Sequence, residues 1–225
     1  MREPVDDLAI GAPFFVAEWI AGARSDERAW SGDGPALWAL LADLAGALAT
    51  IHAAGLVHAD VAPQNVLVED RRTVLVDLGL AASGVNGVAR GTPAYMAPEA
   101  LAGHVEPRSD LYGIGAVAAR LLTGRAPFEA ASLGELIHQI IAGKPAPALP
   151  GAPRPLADLI GRLLARDPDA RPASAIAVLD ELDQLAPAIA PRSARRARPK
   201  VGPPPAPASW PGAAPWIAEL AAALA

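Results

Sequence analysis

The chain has 225 residues, is 52% hydrophobic and contains no cysteine, with a formal net charge of −5. That is enough apolar material for one ordinary domain plus a tail, and it excludes a disulfide framework and a thiolate metal site. Residues 1–186 hold 14 basic and 23 acidic side chains, a net of −9, so the body is a poor match for nucleic acid.

The first ten residues carry Glu3, Asp6 and Asp7 and no apolar stretch of the signal-peptide kind. No apolar run is expected to reach transmembrane length. With the lack of cysteine, these features fit a cytoplasmic location. Phe14 to Ala17 reads as a short buried strand. Pro35 opens a helical pattern through Leu37, Leu40, Leu41, Leu44 and Leu48 to Ile51, stopped by Gly55. Two short strands follow, Val66 to Val68 and Val74 to Val76, joined by a hairpin-like turn over Glu69 to Arg72. From Gly79 to Pro93 the chain reads as loop, and Ala97 to Ala102 as a short helix. Ser109 to Leu122 is almost wholly apolar, which predicts a helix buried all round. Leu133 to Ile141, Leu156 to Leu164 and Ala173 to Leu185 read as amphipathic helices. Residues 187–225 hold five basic and one acidic residue, and much proline up to Pro215. They read as a flexible, solvated linker or tail. Strands followed mostly by helices give an α+β class with helix dominant.

Three segments carry chemistry. The first is His58-Ala59-Asp60-Val61-Ala62-Pro63-Gln64-Asn65, followed at once by a strand. The second is Asp77-Leu78-Gly79, just after the next strand, and the third is Gly91-Thr92-Pro93-Ala94-Tyr95-Met96-Ala97-Pro98-Glu99. Asp77 ends the hairpin that begins at Asn65, so the two are expected close together. A carboxylate and an amide oxygen form a hard oxygen site that suits Mg²⁺, which usually recruits phosphate oxygens to complete its shell. Asp60, on the same loop as Asn65, is placed to orient and deprotonate a hydroxyl. These are the parts that phosphoryl transfer needs. Singly, Asp60, Asn65 and Asp77 read as ordinary turn residues, and the ordered set is what carries the argument. His58 reads as a packed core histidine, and Trp38 and Trp30 as core or surface-packing residues.

The ordered segments resemble the protein kinase family, whose motifs are H-R-D-x-x-x-x-N, D-F-G and A-P-E. The resemblance runs from about Phe14 to Leu185 and is to the serine/threonine protein kinases, while the composition suits a GC-rich, bacterial genome. It implies a kinase-like C-lobe with a strand or two of the N-lobe: residues 1–20 as N-lobe remnant and hinge, 21–186 as C-lobe and 187–225 as tail. It implies Asp60 as catalytic base, Asn65 and Asp77 as Mg²⁺ ligands, and ATP and a protein hydroxyl as substrates. Backbone groups of Glu18 and Ile20 would bind adenine, with Leu67 as the floor of that pocket. Asp110 would brace the catalytic loop, and Arg171 would pair with Glu99. Thr92 favours serine/threonine over tyrosine specificity. Small-molecule phosphotransferases share the loop and the metal aspartate but lack the Gly91 to Glu99 segment.

The sequence also departs from the family. No glycine-rich phosphate loop and no lysine-bearing strand precedes Phe14, so an exposed N-lobe edge and self-association are expected. Ala59 replaces an arginine that pairs with activation-loop phosphate, and Ser83 and Thr92 are the only serine and threonine in that segment. Switching by activation-loop phosphorylation is therefore not expected. Ala62 replaces a lysine that neutralises the transferred phosphoryl, a loss of about ten- to a thousand-fold in rate by analogy with other transition-state donors. Leu78 replaces phenylalanine and can still pack. A non-catalytic interaction module is the rival reading from another class.

Overall fold

The computed structural model describes residues 20, 22–27, 34–69, 72–77, 91–142 and 148–190. The expected strand at Phe14 to Ala17, the hinge residue Glu18, Leu78, Ser83, Trp30 and the tail beyond residue 190 lie outside them.

Among the described residues the chain runs β1 (Ala23–Arg24), α1 (Gly34–Ala53), β2 (Val66–Glu69), β3 (Arg72–Leu75), α2 (Pro98–Leu101), α3 (Pro107–Thr123), α4 (Leu133–Ile141), α5 (Arg154–Leu163) and α6 (Ala175–Ile189). It is α+β and mostly helical. The sheet is antiparallel in the order β1-β2-β3, with Val66 opposite Leu75 and Ala23 opposite Val68. β1 has no counterpart in the strands read from the sequence. Two residues of Ala-Arg carry no strand signal of their own, and β1 is extended because it pairs with β2.

α1 forms where the leucine spacing predicts it. Leu37, Leu40, Leu41, Leu44 and Leu48 are all buried on it. They face α6, β3 and α3, which pack around it. The Trp38 indole Nε1–H donates to the Leu182 carbonyl of α6 at 2.8 Å, so this large ring is buried with its polar atom satisfied. Gly55 ends the helix in the left-handed region, with φ +75°. α1 has 20 residues and is apolar enough to cross a membrane, which corrects the expectation that no segment reaches that length. Half of its most apolar stretch is buried inside the protein, and it serves as a core helix.

α3 is the central element. Every residue from Ser109 to Ala119 is buried, as expected of a helix apolar on all faces. Its small residues set the packing distances. A Cβ on Gly113 would fall 2.6 Å from Val61 Cβ and 2.9 Å from the Val61 carbonyl oxygen; one on Gly115 would fall 2.8 Å from Leu163 Cβ. The 58–65 loop thus lies against one face of α3 and α5 against another, each at backbone range.

α6 starts at an N-cap, where Ser174 Oγ accepts from Ala177 N–H at 3.1 Å. It continues past Pro187 to Ile189, further than the leucine pattern implies. Ala186 and Ala190 are buried, and Ala190 N–H still reaches the Ala186 carbonyl at 2.9 Å. Burial of those two alanines holds a turn that proline alone would discourage.

A methyl at residue 113 has only backbone and a β-branched side chain to meet, and neither yields cheaply. Gly113→Ala is expected to destabilise the protein by about 1–3 kcal/mol, read as a lower urea midpoint. An unchanged midpoint would contradict the close approach of α3 and the loop.

Candidate active site

The 58–65 loop is built on the N-terminal end of α3. Asp110, in the first turn of that helix, is 2% exposed. Its Oδ2 accepts from His58 N–H and its Oδ1 from Ala59 N–H, each at 2.8 Å. His52 Nε2, from the end of α1, also lies 2.8 Å from Oδ2. These bonds fix a costly backbone, because Ala59 has φ +67°, a conformation that β-carbons disfavour. His58 is fully buried, with Nε2 at 3.2 Å from the Val76 carbonyl and Nδ1 accepting from Asp60 N–H at 3.3 Å.

Asp60 is held at both carboxylate oxygens. Oδ1 accepts from Thr92 N–H at 2.9 Å and from the Thr92 hydroxyl at 3.0 Å. Oδ2 accepts from Asn65 Nδ2 at 2.9 Å, and the same amide nitrogen reaches the Asp60 carbonyl at 2.9 Å. With its nitrogen committed to Asp60, the Asn65 amide leaves its oxygen as an acceptor for an outside donor or cation. Gly91 makes this junction possible. Its φ is +119°, and a Cβ there would fall 3.0 Å from the Ala59 carbonyl oxygen and 3.1 Å from Asp60 Oδ1.

The hairpin brings the other carboxylate alongside. Val66 pairs with Leu75, and one step outward Val76 N–H donates to the Asn65 carbonyl at 2.9 Å. Asp77 follows, exposed and with φ +66°. The hairpin register therefore sets Asp77 beside the Asn65 end of the loop. An amide oxygen and a carboxylate are the oxygen donors that a hard divalent cation takes. Among the described residues no cluster of three or more histidines, aspartates and glutamates forms a metal site. Leu67 is half-buried in β2 opposite Val74 and Arg24. Ile20 is half-buried ahead of β1.

Glu99 and Arg171 form a second buried assembly behind the site. Arg171 Nη1 and Nη2 reach Glu99 Oε1 and Oε2 at 2.7 and 2.8 Å, a bidentate pair. The remaining guanidinium hydrogens go to the carbonyls of Ala165, Arg166 and Arg108. Ser109 Oγ donates to Glu99 Oε1 at 2.7 Å. Burial pushes the Glu99 carboxyl up, but the hydrogen bonds from Arg171 and Ser109 and the guanidinium charge outweigh it and hold the carboxyl below its usual range. The Tyr112 ring lies under the guanidinium, 5.1 Å from its carbon to the ring centroid.

Three roles were not read from the sequence: Gln64 as a partner of Thr92, Ser109 as a partner of Glu99, and His52 as a partner of Asp110. Gln64 sits in the 3₁₀ turn Pro63–Asn65, and its Nε2 donates to Thr92 Oγ1. Only its place beside Asn65 hinted at a role.

A family model described as "Protein kinase domain" matches residues 33–181. The chain belongs to the protein kinase family. As a protein kinase chain it is similar to several curated proteins. It is 37% identical over 192 residues to serine/threonine-protein kinase PknL of Mycobacterium tuberculosis, covering 79% of this chain and 48% of that protein. It is 38% identical over 180 residues to probable serine/threonine-protein kinase PkwA of Thermomonospora curvata, covering 75% of this chain and 24% of that protein. It is 40% identical over 190 residues to serine/threonine-protein kinase PknK of Mycobacterium bovis, covering 78% and 17%. The chain thus spans half or less of these relatives. The family match reaches across the Asp60 loop, the Asp77 turn, the Glu99 segment and Arg171.

Removing one partner of the Glu99–Arg171 pair strands a buried charge, at a cost of about 3–5 kcal/mol. Arg171→Met is therefore expected to lower the thermal midpoint strongly. Because the folded Glu99 value is depressed, its stabilisation is complete above the ordinary carboxyl pKa of 4.5 and is lost as pH falls through the lower folded value. Wild-type stability should then fall more steeply below about pH 4.5 than that of Glu99→Gln. Equal slopes in pH-dependent denaturation would contradict the assignment.

Proposed function

We propose that the chain carries the phosphoryl-transfer centre of a protein serine/threonine kinase that uses Mg²⁺ and ATP. The observation that carries this reading is the Asp60 carboxylate. It is held at both oxygens by Asn65 and Thr92, on a loop braced by Asp110. The relatives' names as serine/threonine kinases support the same reading.

In this proposal a serine or threonine hydroxyl of a protein substrate approaches Asp60, whose fixed carboxylate orients it and accepts its proton. The oxygen–phosphorus bond to the γ-phosphoryl forms as the bond to the β,γ-bridging oxygen breaks, and ADP leaves. Asn65 Oδ1 and the Asp77 carboxylate would hold Mg²⁺, which when bound neutralises the phosphate oxygens. The amide oxygen of Asn65 is oriented for that task because its nitrogen is spent on Asp60. Backbone groups of Glu18 and Ile20 would take the adenine, over Leu67. Thr92 would favour a serine or threonine acceptor.

Ala59 and Ala62 favour a second reading, a non-catalytic interaction module. Neither brings a cation to Asp60, whose carboxylate is held among the described residues by the neutral groups of Thr92 and Asn65.

Transfer of radiolabel from [γ-³²P]ATP to a generic protein substrate separates the two readings. The kinase reading expects Mg²⁺-dependent transfer, reduced at least about a thousandfold in Asp60→Asn and Asp77→Asn, the scale on which such groups act. Transfer that survives both substitutions would sink the mechanism. Absence of both transfer and a Mg-ATP-dependent thermal shift would favour the interaction module.

A further inference from the structure

We infer that Gln64 is a positioning residue for Asp60, acting through the Thr92 hydroxyl. This rests on the kinase reading for its catalytic consequence, and on geometry alone for the linkage.

The Asp60 carboxylate, when ionised, only accepts hydrogen bonds. The Thr92 hydroxyl, 3.0 Å from Oδ1, must therefore spend its single hydrogen on Asp60. Its lone pairs are then the only means by which another group can hold it. The Gln64 side-chain amide is that group, and the direction of the chain requires it to present its NH₂ end. The hydrogen-bond relay runs from Gln64 Nε2–H to Thr92 Oγ1, and from Thr92 Oγ1–H to Asp60 Oδ1.

Gln64 and Asn65 are consecutive residues of one 3₁₀ turn. Asn65 fixes Oδ2 directly, and Gln64 fixes Oδ1 through Thr92. Each carboxylate oxygen is thereby tied to one of two adjacent amides. The carboxylate is held against rotation from both sides while Thr92 N–H adds a third bond at 2.9 Å. Ala62, two residues earlier on the same loop, is completely buried, and its methyl side chain has no polar atom to offer Thr92. Gln64 is thus, beside Asp60 itself, a second residue of the 58–65 loop bonded to the Thr92 hydroxyl. Thr92 opens the segment leading to Glu99, so this bond also joins the two halves of the site.

Gln64→Glu tests the direction of the relay, because a carboxylate of the same shape can only accept and competes with Asp60 for the Thr92 hydrogen. Amide hydrogen exchange at residue 92, followed by NMR on the full chain, reads the linkage without any need for activity. Gln64→Glu and Gln64→Ala are each expected to speed that exchange by about tenfold, the worth of one hydrogen bond. In a Thr92→Val background the same changes are expected to alter exchange at residue 92 by less than about twofold. Unchanged exchange in the Thr92 chain, or an equal effect in both backgrounds, would overturn the inference. Where the chain transfers phosphate, kcat is expected to fall about tenfold or more with KM for ATP within about twofold; a change confined to KM would also overturn it. Absence of both transfer and a Mg-ATP-dependent thermal shift in the unsubstituted chain would count against the kinase reading, and the exchange data would still decide the linkage.

Discussion

The buried carboxylate of Asp110 connects the chemistry to the fold. It accepts from His58 N–H and Ala59 N–H at 2.8 Å each, with His52 Nε2 at the same distance. An unpartnered carboxylate so deeply buried would be very costly. Here the partners are the backbone groups of the loop that carries Asp60, so satisfying the charge and shaping the loop are the same event. The position within the first turn of α3 adds the favourable end of the helix dipole. The positive φ of Ala59 is the corresponding strain. At about 1–2 kcal/mol for a non-glycine residue, it is small beside the cost of leaving Asp110 without donors.

The second anchor works at a different scale. Arg171 gathers three carbonyls and the Glu99 carboxylate, so it joins the turn after α5 to α2 and to the start of α3. Such a pair adds little net stability compared with apolar replacements, because both charges have left water. Its effect is on geometry. Glu99 ends the segment that begins at Gly91, and Ser109 neighbours Asp110. Fixing Glu99 through Arg171 and Ser109 therefore ties the far end of the segment that carries Thr92 to the start of α3.

The Asp60 carboxylate is held by neutral donors. Amide and hydroxyl donors hold it, and the loop residues at 59 and 62 are alanines. Such donors fix orientation without contributing a full positive charge. In the proposed kinase reading such an arrangement serves placement of a hydroxyl more than electrostatic neutralisation of a phosphoryl group, and the two demands are separable.

Much of this was legible in the chain. The leucine spacing from Leu37 to Leu48 and the apolar run after Ser109 gave α1 and α3, because burial enforces a periodicity that side-chain type records directly. The hairpin was legible from Val66 to Val76, and with it the neighbourhood of Asn65 and Asp77. The pairing of Glu99 with Arg171, 72 residues apart, was expected only from family resemblance, since no local pattern joins them. β1 was not legible, because two residues become a strand only when β2 offers an edge. The extra turn of α6 past Pro187 was hidden too, since Ala186 and Ala190 are held by packing and not by propensity. By itself the sequence determined the periodic elements and the order of the chemical motifs, since both are local properties of side chains. Only the tertiary structure decided that Gly113 must be small, that His52 and Ser109 join the anchors, and that Gln64 turns to Thr92. Each of those depends on which distant backbone or carboxylate comes within a few ångströms, and that is set by how α3 packs against the loop.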